Sequence, residues 1–177
     1  MADAVHPFSV DIDETQLSDL RERLAKTRWP EAETCEGWDQ GIPLSYTREL
    51  AQYWLNEYDW SRCQSMLNRW PQFVTEIDGI DVHFIHCRSP EPDAKPLVIS
   101  HGWPGSVIEF HKVIDALADP VAHGGDAADA FHIVAPSLPG YGFSGKPANT
   151  GMTAEAIGRL WGKLMARLGY DRYYAQG

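Results

Sequence analysis

Three stretches carry residue types that could share one reaction. His101-Gly102-Trp103-Pro104 follows the apolar run Leu97-Val98-Ile99. A loop directly after a buried strand can aim backbone N–H groups at an oxygen that turns negative when an acyl carbon is attacked. Preorganised donors of this kind, in a dry pocket, stabilise such an oxyanion by ~2.7–4 kcal/mol each. Gly102 lets the backbone approach closely. Trp103 would present its N–H inward. Pro104 has no N–H to compete, and a cis bond before it suits so tight a turn. His101 is expected to buttress the loop with a side-chain hydrogen bond. The second stretch is Pro139-Gly140-Tyr141-Gly142-Phe143-Ser144, one strand later. The third is Tyr173-Tyr174-Ala175-Gln176-Gly177, a strand running into a glycine. That is the approach a sharp, nucleophile-bearing turn needs. A tight turn without chemistry would account for the first loop alone. Two glycine-and-aromatic loops at one sheet edge point instead to a lined crevice, because ligands of open α/β sheets bind at the carboxyl ends of strands.

The elements that must hold these loops can be read from periodicity. Before residue 72 the chain reads as helices and irregular turns. Asp13 can cap a first helix, with Gln16 as its capping-box partner. Leu17, Leu20 and Leu24 then share a face, and Trp29-Pro30 stops the helix. Residues 30–43 read as a loop. Ser45 is expected to cap a second helix and Ser61 a short third one. Runs 73–77 and 82–85 are β-type, and Asp78-Gly79 between them signals a type I′ hairpin. Beyond residue 95, strands at 97–100, 131–135 and 173–176 alternate with helices at 105–117 and from Thr153 to Gly169. Leu160, Trp161, Leu164 and Met165 follow the helical period, and Gly169 suits the position after the helix end. This alternation implies α/β class with a mostly parallel sheet. The expected division is a helical segment, 1–71, and a sheet-bearing segment, 72–177.

Composition narrows the partners. The 177-residue chain has a net charge of −10 and no basic stripe, which argues against nucleic acid and anionic membranes. Its first 30 residues hold no long apolar stretch, so neither a signal peptide nor a membrane anchor is expected. Cys35, Cys63 and Cys87 are odd in number and widely spaced, as reduced thiols of a cytoplasmic protein would be. No metal-ligand spacing appears, and neither metal nor cofactor is expected. His6, His83, His86, His111 and His132 read as structural or surface residues. His123-Gly124-Gly125-Asp126 mimics a nucleophile turn, but no strand leads into it, so it reads as a solvated loop. Trp54, Tyr58 and Trp60 read as packing residues.

The two loops together resemble those of α/β-hydrolase-fold epoxide hydrolases. That family carries a histidine-glycine-any-proline oxyanion loop and, one strand later, a proline-glycine-aromatic-glycine-any-serine loop. The first half is similar to the N-terminal segment of the microsomal-type branch. The matching stretches are Leu20-Arg21-Glu22-Arg23-Leu24 with Thr27-Arg28-Trp29-Pro30, Tyr53-Trp54 with Asp59-Trp60, Leu67-Asn68 with Phe73, and Ile77-Asp78-Gly79 leading to His83-Phe84. The resemblance implies an α/β-hydrolase core behind a helical segment that wraps it. It also implies a metal-free, two-step reaction on a small apolar epoxide. A carboxylate opens the ring and forms an alkyl-enzyme ester, helped by two lid tyrosines. A histidine, oriented by an acid, then activates water. Trp103 would supply one oxyanion donor, with His101, Gly102 and Pro104 supporting it. Pro139 through Phe143 would line the site, and Gly177 would open the nucleophile turn.

The resemblance places the nucleophile about two positions past Gly177, by the usual spacing of that turn. The lid, acid and histidine would follow, so a C-terminal remainder is the expected partner and the free chain is expected to be inactive. A homodimer stays open. So do an esterase, a haloalkane dehalogenase, or a non-catalytic binding module of the same fold.

Overall fold

The computed structural model describes residues 4–177. They divide into two compact units: residues through Ser9 with Leu67–Gly177, and Val10–Met66.

In the smaller unit, α1 (Glu14–Ala25) begins at Asp13, whose Oδ1 accepts from the Thr15 N–H at 2.7 Å. α2 spans Leu44–Asn56 and α3 spans Trp60–Leu67. Their caps differ from expectation. Ser45 lies inside the first turn of α2, and Glu33 Oε2 accepts from the Leu44 N–H at 2.9 Å. At α3 the Asp59 carboxylate accepts from both the N–H and the hydroxyl of Ser61. Ser45 and Ser61 each lie within the first turn rather than before it, and the carboxylates that take the hydrogen bonds add charge favoured at a helix start. Trp54, Tyr58 and Trp60 line an apolar groove of about 460 Å³ with Leu17, Leu20 and Leu24.

The larger unit holds one six-stranded sheet: β1 (His6–Phe8), β2 (Gln72–Ile77), β3 (Ile80–Cys87), β4 (Lys95–Ile99), β5 (Phe131–Pro136) and β6 (Tyr174–Gln176). Their order is β1-β2-β3-β5-β4-β6. The sheet is mixed, where the sequence suggested mostly parallel. Only β5-β4-β6 is parallel; β1-β2, β2-β3 and β3-β5 are antiparallel. The hairpin causes this. Asp78 (φ 53°) and Gly79 (φ 77°) form the primed turn that returns β3 along β2, and β3 then pairs β5. Strand β1 was not legible: it has three residues, and one is a proline tolerated only at an edge.

Helix α5 (Ala154–Arg167) buries Leu160, Trp161, Leu164 and Met165 against Val82, Phe84, Val98 and Val134. Thr153 caps its start, and Gly169 (φ 86°) ends it in a Schellman turn, with Tyr170 N–H on the Met165 carbonyl. The expected 105–117 helix is broken into a 3-10 turn, Val107–Phe110, and α4, Ile114–Ala118. The His111 ring and N–H both bond the Ile108 carbonyl, the acceptor a continuing helix would need. Among the described residues no helix is long and apolar enough to cross a membrane.

A histidine pair ties β3 and β5 to the end of α5. His86 Nε2 meets the Tyr170 hydroxyl at 2.9 Å, and the His132 ring stacks on Tyr170. Burial, reinforced by Arg88 and His132, lowers the pKa of His86 from 6.5 to about 4; burial and Arg88 lower that of His132. The unfolded chain therefore takes up protons first, so stability is full above pH 6.5 and is lost as pH falls toward 4. Thermal unfolding followed by circular dichroism should show a falling midpoint across that window. In His86→Gln, which keeps a polar atom for Tyr170, the fall should be shallower; an equally steep profile would contradict the assignment.

Candidate active site

The carboxyl ends of β4, β5 and β6 lie side by side. The connection from β4 runs to β5 on one flank, and the next crosses to β6 on the other. Strand β4 is therefore the switch point where an open sheet leaves a crevice. The loop after β4 holds His101 to Ser106, the loop after β5 holds Ser137 to Gly145, and β6 delivers Gly177.

The first loop is a tight turn closed by Gly105 N–H on the Gly102 carbonyl at 2.8 Å, with a cis bond between Trp103 and Pro104. Trp103 is 80% exposed. Among the described residues, its N–H donates to no acceptor. His101 is buried and joins two loops. Its Nε2 accepts from the Leu138 N–H at 3.0 Å, so the ring proton sits on Nδ1, which reaches the Gly102 carbonyl at 3.1 Å. A Cβ at Gly105 would displace the movable Glu109 carboxylate and lie 3.2 Å from the Gly102 carbonyl.

The second loop folds on itself. Tyr141 N–H bonds the Leu138 carbonyl, Ser144 N–H the Tyr141 carbonyl, and Gly140 N–H the Gly145 carbonyl. Pro139 is buried, and the Tyr141 ring stands edge-on to His101 at 5.9 Å. Phe143 instead turns toward the rings of His83 and Phe8, each 5.2 Å away. Gly177 lies against Ser100: a Cβ on it would come within 3.1 Å of the Ser100 Cβ, and Ser100 N–H donates to the Gln176 carbonyl at 2.8 Å. The Ser100 hydroxyl also accepts from Trp161 Nε1 at 2.8 Å. The end of β6 and the start of the first loop are thus fixed to each other. His123 and Gly124 lie exposed on a separate turn, away from these three strand ends. No cluster of three or more His, Cys, Asp or Glu able to hold a metal occurs among the described residues.

The epoxide hydrolase N-terminus model matches residues 5–110, and the alpha/beta hydrolase fold model matches residues 95–177. The chain belongs to the epoxide hydrolase N-terminus family. A Stigmatella aurantiaca protein with a provisional epoxide hydrolase name is 50% identical over 98% of this chain and 39% of its own length. Epoxide hydrolase 1 of Sus scrofa is 37% identical over 99% of this chain and 39% of its own. The crystal structure of juvenile hormone epoxide hydrolase from Bombyx mori superposes with a TM-score of 0.85 at 36% identity, covering 98% of this chain and 41% of that one. The chain thus spans about 39% of the length of the curated relatives it matches. With these neighbours, the mixed sheet and its helices form the first part of an α/β-hydrolase fold.

His83, read from the sequence as a structural or surface residue, is buried and bonded at both ring nitrogens; its partners Gln72 and Ser137, also buried, were not singled out. A signal existed, since a histidine inside the apolar run 82–85 must find partners once buried. The partners come from distant segments, which no local pattern shows.

The second loop's glycines differ in what they tolerate. At Gly140 (φ 85°) an added Cβ would have only Pro147 Cδ nearby, at 3.6 Å, whereas at Gly142 (φ 51°) it would sit 2.9 Å from the Ser137 hydroxyl. Alanine at either position carries the left-handed backbone cost of about 1–2 kcal/mol. Gly142→Ala should add a clash with a hydroxyl already committed to His83, and so lose more stability than Gly140→Ala. Urea unfolding of both variants checks this; equal losses would contradict it.

Proposed function

We propose that this chain is the oxyanion-stabilising part of an epoxide hydrolase that converts a small, uncharged, apolar epoxide and water into a vicinal diol. The supporting observation is the junction at Ser100. There the end of β6, where the family's nucleophile turn begins, is hydrogen-bonded to the start of the loop that carries the Trp103 N–H. A nucleophile just past Gly177 would work within reach of that donor.

The reaction divides into two steps. A carboxylate oxygen, supplied by the remainder of the hydrolase, attacks one epoxide carbon. The carbon–oxygen bond of the ring breaks, and the released alkoxide takes a proton from an acid in the lid. A covalent ester joins substrate and enzyme. Water, deprotonated by a histidine, then adds to the ester carbonyl. The oxygen of that carbonyl becomes negative, and the Trp103 N–H donates to it. Collapse breaks the ester C–O bond; the departing alkoxide takes the proton held by the histidine to give the diol, and the carboxylic acid returns its proton to the lid acid, which restores the carboxylate. His101 holds the loop through its ring nitrogens, Gly102 and Pro104 give the turn its shape, and Pro139, Gly140, Tyr141 and Gly142 form the neighbouring wall, while Phe143 packs on His83 behind it. The mechanism draws on no metal or cofactor.

Backbone substitution tests the donor directly. In an active hydrolase of family length carrying this segment, replacing Trp103 by its α-hydroxy analogue turns the N–H into an ester oxygen. Single-turnover kinetics with styrene oxide should show formation of the covalent ester little changed. Its hydrolysis should be slower by about 10²–10³-fold, the cost of one lost oxyanion donor. An unchanged hydrolysis rate would overturn the reading.

A further inference from the structure

Four buried polar side chains stand behind the loops, on or beside β2, β3 and β5: Gln72, His83, Ser137 and Ser144. The proposed reaction uses none of them, yet each proton in the cluster has one place to be. Gln72 Nε2 faces the Leu67 carbonyl at 3.0 Å, which can only accept, so the Gln72 Oε1 is the atom turned to His83 Nε2 at 2.9 Å. An amide oxygen only accepts, so His83 carries its ring proton on Nε2. His83 Nδ1 is then an acceptor, and the Ser137 hydroxyl donates to it at 2.9 Å. The Ser144 hydroxyl donates to the Ser137 carbonyl at 2.7 Å and accepts from the His83 N–H at 3.0 Å. The Ser137 N–H returns to the His83 carbonyl at 2.9 Å. Phe8 and Phe143 cover the ring.

This cluster fixes Ser137, and Ser137 precedes Leu138, whose N–H holds His101 Nε2. His101 Nδ1–H in turn holds the Gly102 carbonyl. That carbonyl and the Trp103 N–H belong to one peptide group. The group is planar, so a bond that fixes the oxygen also fixes where the N–H points. A hydrogen bond to the oxygen further polarises the amide and strengthens it as a donor.

We propose that His83 is a positioning residue that sets the direction of the Trp103 N–H through Ser137, Leu138 and His101. The inference rests on the reading of that N–H as the oxyanion donor. Burial draws the pKa of His83 down to about 4, so its neutral form, and with it the assigned proton pattern, persists through the neutral range.

Two variants separate the relay from simple core packing. His83→Asn keeps an acceptor where Nδ1 stands and loses the link to Gln72. His83→Gln keeps a donor where Nε2 stands and loses the acceptor for Ser137. In the hydrolase of family length, His83→Gln should slow ester hydrolysis by about tenfold, short of the ~10²-fold that a 1 Å misplacement costs. It should leave ester formation and kcat/KM unchanged. His83→Asn should stay within about twofold of the parent on the same scale. Nitrogen-15 spectra of the His101 ring should shift in His83→Gln and hold in His83→Asn. Ser137→Ala, which leaves the ring in place, should reproduce the Gln result if His83→Gln folds poorly. Equal rate losses in the Asn and Gln variants, or an unmoved His101 signal in both His83→Gln and Ser137→Ala, would overturn the relay. Failure of the parent reading looks different: the Trp103 backbone substitution would leave hydrolysis unchanged while the His101 signals still responded to His83.

Discussion

The planarity of the peptide between Gly102 and Trp103 is the constraint on which the site depends. Its oxygen is held twice, by the His101 ring and by the Gly105 N–H. Its nitrogen faces no protein acceptor among the described residues. A donor anchored through the carbonyl of its own peptide is aimed by the groups that hold that oxygen. In the proposed role, such a dipole would be held ready for charge that appears only in the transition state, with little reorganisation left when the charge arrives.

The sheet brings three strand ends together around that peptide. Strand β4 lies between β5 and β6, so its loop is flanked on both sides. Helix α5 clamps the same strands from one face, and its Trp161 indole reaches the Ser100 hydroxyl at the site's edge. The antiparallel half contributes more than extra width. Strands β2 and β3 carry Gln72 and His83 to the loop after β5, so the hairpin is tied to that loop by buried hydrogen bonds. Buried polar groups are costly unless every one is satisfied; here no buried side-chain nitrogen or oxygen lacks a partner among the described residues. Such a network specifies one arrangement of the loops over near alternatives, which apolar packing alone would do less sharply.

Much of this was legible in the residues. The Asp78-Gly79 turn, the amphipathic stripe of α5, its Thr153 cap and its Gly169 end all follow from local rules, and the fold obeys them. The glycine-bearing loops were visible because few residue types permit such turns. Non-local competition was harder to see. Ser45 and Ser61 looked like caps, but Glu33 and Asp59 supply the oxygens instead. The helix expected over 105–117 stops because the His111 side chain occupies a backbone acceptor. The mixed character of the sheet depends on β3 pairing β5 across more than forty residues of intervening chain. The His83 cluster assembles four segments, and a pattern read along the chain cannot anticipate a meeting of that kind.

The direction of one N–H bond decides the matter, and it can be seen. A crystal structure of an active hydrolase carrying this segment, trapped with a tetrahedral analogue of ester hydrolysis, should place the Trp103 nitrogen about 2.7–3.1 Å from the analogue's oxyanion. The Gly102 carbonyl should remain on His101. A Trp103 N–H turned away from that oxygen, with the peptide flipped off His101, would contradict the account.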